Sequence, residues 1–586
     1  MTNKYPDKKL WEIMLKTKKQ AKFLHADKMP VEALQELQWL IPARNNSEQP
    51  LDLPSTDYNR FNYGQMIYAK TSMGFTYLRA YLGDTLFDGS MRYFYGRWKF
   101  RHSGPDDLRA AFDRQTSEDL SWFFDDFIGT TKRLDYHIVK IDKQQLLVKN
   151  RGEMVAPLMI AGLSGDSVCF EKWVDGFSGE RWIEIPKGDY SEIKIDPYHV
   201  MPERFRLNNN IRTSGLFPKS DPVQPQLLVG IDDPEKIPLM YIPLINWNHE
   251  NGLMAGVALY NGVITPKPVE YLVMPFYSFN HSKLAGFGKI SYHYTPYNNL
   301  IRMTTITLQG TQFGAPGNRD FRKLLAGLHI NFRKNKSTNP IQHSIYGRFV
   351  LASDLNQILI PEQAKMNRYI QFGYNLEKTS LVNPFNLLLS FEAGATFSKT
   401  ALDFNYRQSY SGRDNGLNIR FFAGTVLRNS SANSFNLLAP AGRSGRELYL
   451  YEGIYPNRFA VFPGSFLSRQ ISFSEGGLVS PVNEALGYSE WLLSVSLTSS
   501  LPGILSKTGI KPFANVLFND HGLSTRYNSP LFIEAGFKAG IMNVFEIYLP
   551  LLVSSNIQSA TGPVKERIRF VINLDITKQG KMLIGN

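Results

Sequence analysis

At 586 residues, with 43% hydrophobic and 20% charged side chains, the chain is too apolar for a disordered polymer and long enough for several domains. Its net charge of +13 comes from scattered Lys and Arg, with no basic run interleaved with aromatics, so nucleic acid is not an expected partner. A single cysteine, Cys169, excludes an intrachain disulfide and any cysteine-based zinc site. The aromatic content of 13%, with 29 Tyr and 39 Phe, suits a sheet with large lipid-facing surfaces. No stretch reaches the roughly 18 to 20 apolar residues of a spanning helix. The opening residues MTNKYPDKKLWEIMLKTKKQ lack the apolar core and cleavage site of a signal peptide.

Residues 1–132 are expected to be helical. DKKLWEIMLKTKKQAKFL and PVEALQELQWLI carry apolar residues at helical spacing, the second behind a first-turn proline. FNYGQMIYAKTSMGFTYLRAYLGDTLF reads as a buried helix with Tyr68 and Lys70 near its start. GPDDLRAAFDRQTSEDLSWFFDDFIGT reads as two short helices, each opened by acidic or hydroxyl residues suited to a helix N-terminus.

At Leu134 the period shifts from helix to strand. Residues 133–206 are expected to form a small β-sandwich-like module, with a turn at Asn150-Arg151-Gly152 and a hairpin over RWIEIPKGDYSEIKIDP. Residues 207–238 read as a polar, Pro-containing linker. From 239 to 586 the chain alternates apolar and polar residues in segments of about ten, the length that crosses a hydrocarbon layer when tilted. In KISYHYTP, Ile290, Tyr292 and Tyr294 oppose Lys289, Ser291 and His293; in NLLLSFEAGATFSK, Leu389 and Phe391 oppose Ser390 and Glu392. ERIRFVINLDI repeats the pattern, with Phe570, Ile572, Leu574 and Ile576 on one face. About 12 to 16 such strands predict an antiparallel transmembrane-type β-barrel, since only a closed barrel satisfies every backbone group in lipid. The fold class is therefore mainly β behind a helical N-terminal segment, the barrel lying in the outer membrane with its lipid as partner.

Motifs for chemistry are sparse. GSFLS and GLSGD do not fit a nucleophile elbow, and no phosphate-binding loop or dinucleotide fingerprint is present. No two of the ten histidines stand four residues apart, so no helix offers paired imidazoles to zinc.

The first 200 residues nevertheless resemble the later part of the aminopeptidase N-like zinc metallopeptidases, the gluzincins of peptidase family M1. The resemblance is carried by YAKTSMGFTYLRAYLGDTLF, with Thr71 where Gly is usual, then by MRYFYGRWKFRHSGPDDLRAAFDRQTSEDLSWFFDDFI, VKNRGEMVAPLMI and EIKIDPYHVMPERFRLNNN. It covers about a third of the chain and implies a partial gluzincin helical domain. It also places Tyr68 on the family tyrosine that donates to the oxyanion of the tetrahedral intermediate, a role a neutral phenol suits. The zinc-binding H-E-x-x-H, the third ligand and the substrate strand belong upstream of this helix. The expectation is the C-terminal portion of a membrane-anchored aminopeptidase, inactive alone, with zinc and a peptide substrate only where an upstream catalytic part exists. Its alternative is a non-enzymatic barrel, pore or anchor, carrying a vestigial peptidase segment. A soluble β-rich binding protein is the third reading.

Overall fold

A computed structural model describes residues 31 to 572, apart from internal stretches of which the longest are 354–365, 442–468 and 521–530. The helix expected over residues 7–24 lies outside the described residues. Helix α1 (Val31–Arg44) is followed by a long helix that starts at Asn59, whose side-chain oxygen accepts from the Asn62 N–H at 2.8 Å. The long helix runs as α2 (Arg60–Gly64), a π-helical stretch (Gln65–Lys70) and α3 (Thr71–Leu82). Gly83 stops it at φ 77°, a conformation that favours glycine. Helices α4 (Asp84–Trp98) and α5 (Pro105–Asp113) follow; Pro105 fills a first-turn position and the Asp107 carboxylate accepts from the Gly104 N–H at 2.8 Å. A second π-helical stretch, Trp122–Ile128, drives Phe123, Phe124 and Phe127 against Tyr77, Phe87 and Phe112. Gly74 is required there, because a Cβ would stand 2.1 Å from the Phe127 ring.

Seven strands come next: β1 (Tyr136–Asp142), β2 (Gln145–Asn150), β3 (Leu158–Ser164), β4 (Ser167–Val174), β5 (Gly179–Glu184), β6 (Glu192–Ile195) and β7 (Asn210–Arg212). They form two sheets, ordered β1-β2-β5 and β4-β3-β6-β7. Ile138, Leu146 and Val148 from one sheet and Ile160, Ile193 and Ile195 from the other enter one core, continuous with the aromatic helical core. The hairpin expected over residues 181–197 is not formed. Its two strands, β5 and β6, pair with β2 and β3 in opposite sheets, so the Lys187–Gly188–Asp189 segment crosses between layers. Pairing partners far along the chain decide such a crossing, and local alternation does not carry them.

Buried charge ties the helices to this module. Arg206 donates to Glu36 of α1 at 2.7 Å and to Asp196 at 2.6 Å, all three side chains being withdrawn from solvent.

Among the described residues the remaining strands close into a barrel of 17, from β8 (Val223–Leu227) and β9 (Ile237–Asn248) round to β24 (Arg569–Ile572). An odd ring cannot alternate direction throughout, and among the described strands β8 runs parallel to β9, Val223 opposite Ile237 to Leu227 opposite Tyr241. The count exceeds the sequence estimate because β8 is short, contains Pro225 and lies in the stretch read as linker. Elsewhere the ladder is regular and long: β13 (Ile301–Ala315) and β14 (Arg319–Phe332) pair over nearly their whole length.

Polarity is inverted across this wall. Along β13, Ile306 and Leu308 are more than half exposed outside, whereas Thr307, Gln309 and Thr311 turn inward. Ile290, Tyr292 and Tyr294 on β12 (Lys283–Tyr294), and Leu389 and Phe391 on β17 (Phe385–Gly394), likewise face outward as their alternation predicts. Inside, Ser291 and Thr307 hydroxyls meet at 3.0 Å. The last strand differs from expectation: Arg567 ends a short helical turn, Phe570 is buried, and Leu574 and Ile576 lie outside the described residues.

Candidate functional site in the barrel and its docked module

The two residues of the Tyr-x-Lys motif are separated by the helix that holds them. Tyr68 lies in the π-helical stretch, well inside the long helix, with 64% of its surface exposed. Its hydroxyl has no hydrogen-bond partner among the described residues. Lys70 instead turns inward, 3.4 Å from Glu48 and 5.1 Å from the centre of the Phe127 ring. A buried ammonium is tolerated only with such partners. Trp39 Nε1 completes the group by donating to Glu48 at 2.8 Å. Among the described residues no three His, Cys, Asp or Glu side chains converge to hold a metal ion. The described side chains around Tyr68 therefore offer zinc no ligand set.

The N-terminal module sits on one rim of the barrel. Asn46 Nδ2 donates to the carbonyls of Pro296 and Arg302 at 2.9 and 2.8 Å. Arg133 Nη1 donates to the Thr295 carbonyl at 2.6 Å, and Arg204 Nη2 to the Thr295 hydroxyl at 2.8 Å. Three of the four contacts fall on the turn between β12 and β13 and the fourth on the start of β13, which defines the proximal rim. A second clamp lies at the barrel seam. Glu235, between β8 and β9, accepts from Lys194 of β6 at 3.2 Å and contacts His199 Nε2 at 3.1 Å. The His199 hydrogen bond, helped by the Lys194 charge and opposed by burial, holds the Glu235 carboxyl down at about 2.

Consecutive hairpin connections alternate between rims, so the connection from β19 (Gly416–Asn429) to β20 (Trp491–Ser499) belongs to the opposite, distal rim. Its described parts fold back onto the inner wall. Leu438, Ala441, Leu478 and Val482 pack against the inward side chains Phe422, Leu492, Leu517 and Phe532. Glu534, fully buried on β22 (Leu531–Ile541), accepts from the backbone N–H groups of Val479 at 2.6 Å and Ser480 at 3.0 Å. Asn515 of β21 (Ile510–Asn519) bridges the pair, donating to Glu534 at 2.7 Å and to the Gly477 carbonyl at 3.3 Å. On the other side Glu475 receives Lys399 of β18 (Phe397–Ser409) at 3.1 Å and the Ala439 N–H. Gly477, at φ 79°, lets the backbone pass Arg420, whose nitrogen would stand 2.8 Å from a Cβ.

Sequence reasoning singled out none of Glu534, Asn515, Glu475 or Lys399. The available signal was alternation for Glu534, Asn515 and Lys399, polar residues at inward register positions of their strands; Glu475 lies in the connection itself and carried no such signal. What they hold could not be seen, because it returns from a distant connection.

No family model matches the chain, and no curated protein matches it. Among solved structures it is similar to BamA from Haemophilus ducreyi lacking POTRA domains 1-3, at 8% identity and TM-score 0.31 over 57% of this chain and 72% of that one. It is also similar to CdiB from Acinetobacter baumannii, at 11% identity and TM-score 0.27 over 53% and 55% of the two chains. The translocation pore of the P pilus usher PapC matches at 10% identity and TM-score 0.20, over 71% and 68%. At such scores the barrel assignment stands on this chain's own closed ladder of strands.

Proposed function

We propose that the chain is an outer-membrane barrel that anchors the module docked on its proximal rim and keeps its lumen closed with its own segment. One observation carries this reading: along strands such as β12 and β13 the outer face is apolar and the inner face polar, the reverse of a water-soluble sheet. The re-entrant segment between β19 and β20 supports an anchor over a standing pore, since it occupies the inner wall and is tied there from two sides. The test is reconstitution of the full chain. It should need detergent for solubility, migrate differently on gels before and after boiling, and show little steady conductance in a planar bilayer. Detergent-free solubility with no heat-dependent mobility would remove the membrane reading, and a stable open conductance would remove the anchor reading.

The finer reading concerns what is anchored. The resemblance of the N-terminal residues to zinc aminopeptidases makes the cargo a peptidase part that this chain does not complete. The observation in favour is the accessible Tyr68 phenol, free to receive an oxyanion from a partnering catalytic part. Zinc-dependent hydrolysis of aminoacyl anilides by the chain alone would contradict it.

A further inference from the structure

The proximal rim concentrates positive charge that no ion pair of Arg302 or Arg333 neutralises among the described residues. The β13–β14 register slips between Ile301 and Met303, leaving Arg302 as an extra residue in a bulge, a device that re-aims a side chain. Arg333 follows directly on β14, its N–H donating to the Leu300 carbonyl at 2.7 Å, so the two arginines stand on adjacent strand ends. Each keeps its guanidinium Nε buried and without a partner among the described residues. Neither forms an ion pair among those residues. The two lie within electrostatic reach of each other, and Lys334 lies within reach of Arg302.

The surroundings add cations more than they remove them. Arg133 approaches from the docked module, its charge reaching Arg333 although it is itself paired with Glu153. Arg204 next to it also has a buried, unpartnered Nε. The opposing groups are Glu377, which acts on Lys334, and the Tyr297 phenol, which acts on Arg333. Burial first and then the Arg133 charge push the Arg333 guanidinium below the usual arginine range; burial and then Arg302 do the same to Lys334. Part-buried guanidinium groups that lack a counter-charge are costly, and their fork geometry matches tetrahedral oxyanions.

The geometry points to an oxyanion site on the proximal rim, where Arg302, Arg333 and Lys334 receive a phosphate-type group from a phospholipid headgroup or from free phosphate. The same hairpin favours the lipid source. Tyr294, Tyr297 and Leu300 are exposed there, the aromatic and apolar residues that sit at headgroup level on a membrane wall. Basic pockets at that depth bind lipid phosphates.

The test uses the full chain in non-ionic detergent and phosphate-free buffer, comparing wild type with Arg302→Gln/Arg333→Gln. Unfolding of the barrel is followed by the loss of heat-modifiable gel mobility, which also shows that the variant folds. Short-chain phosphatidylglycerol should raise the wild-type midpoint by several degrees, short-chain phosphatidylcholine less, and neither should move the double variant. Without any anion the variant should unfold at a higher temperature than wild type, since two part-buried charges without an ion-pair partner among the described residues are gone. An equal rise with inorganic phosphate alone assigns the site to free phosphate. Wild type indifferent to all three probes, or a variant that responds as wild type does, overturns the site.

Discussion

Glu534 accepts the backbone N–H of Val479 at 2.6 Å, joining the inner face of the wall to a segment 55 positions earlier in the chain. A carboxylate that satisfies two backbone donors and a buried amide is the kind of contact whose loss leaves orphans on both sides. Glu534→Ala should cost about 1–3 kcal/mol for each donor left unpartnered. The measurement is bilayer conductance together with protease cleavage of the 430–490 connection. Both should rise in the alanine variant and rise less in Glu534→Gln, which keeps one acceptor oxygen. Unchanged cleavage and conductance would mean that the apolar contacts of Leu478 and Val482 hold the segment unaided.

The seam clamp should respond to acid. The Glu235 carboxyl titrates at about 2 in the folded protein, against an ordinary value of 4.5. A depressed carboxyl stabilises the fold fully above its unfolded value and loses that contribution as pH falls through the folded one. Docking of the β module should therefore loosen between about pH 4.5 and 2. Module unfolding followed against pH should show a shallower acid loss in Glu235→Gln than in wild type. Superimposable pH profiles would show that the clamp contributes nothing.

Arg206 offers a test of how α1 is held. Its guanidinium contacts Glu36 and Asp196 at 2.7 and 2.6 Å, out of reach of water. Arg206→Met leaves two carboxylates buried without their cation, and breaking such a group costs about 3–5 kcal/mol. The module should melt well below wild type while the barrel keeps its heat-dependent mobility. Equal loss of both would mean that the two parts unfold as one unit.

Much of this architecture was legible beforehand, and the reasons are physical. Period-two alternation marks a wall with two different faces, so Ile290, Tyr292 and Tyr294, or Leu389 and Phe391, announce an outward apolar face before any fold is known. The helix behind Gly104 was legible through its acidic opening residues, Asp106 and Asp107, whereas the Asn59 cap was not singled out. Contacts across long sequence separations were not. Strand β8 closes the ring through a parallel partner with only five paired positions, and a proline sits among them. The hold of the 430–490 connection on the wall was not legible, because it depends on Glu534, Asn515 and Lys399, each on a different strand. The Tyr-x-Lys motif gave the right helix but not its faces, since the π-helical stretch turns Lys70 inward and Tyr68 outward.

Tyr68 separates the anchor from what it anchors. In this chain Tyr68→Phe should leave the unfolding of the module unchanged, because the hydroxyl bonds to nothing described. In a reconstituted protein that supplies the upstream zinc site, the same change should lower turnover by roughly 100-fold with little effect on substrate affinity. Turnover equal to wild type would reduce Tyr68 to an ordinary surface residue.

Leu308 stands midway along β13 with 57% of its surface exposed, and the two environments give opposite answers there. On a water-soluble sheet, Leu308→Arg would improve solubility at almost no cost. At the middle of a bilayer the same change costs about 2–4 kcal/mol. The variant should insert into vesicles poorly and lose its heat-modifiable form at a lower temperature than wild type.

The most direct test of a lipid-embedded wall is depth-resolved quenching in vesicles. Cys169→Ser removes the one native thiol, and Leu308→Cys or Gln309→Cys then carries a single environment-sensitive fluorophore on the outer or the inner face. Lipids brominated along the acyl chain should quench the label at position 308 strongly and leave its neighbour at 309 almost untouched. Equal quenching at both positions, or none at 308, would contradict a barrel whose outer face meets hydrocarbon.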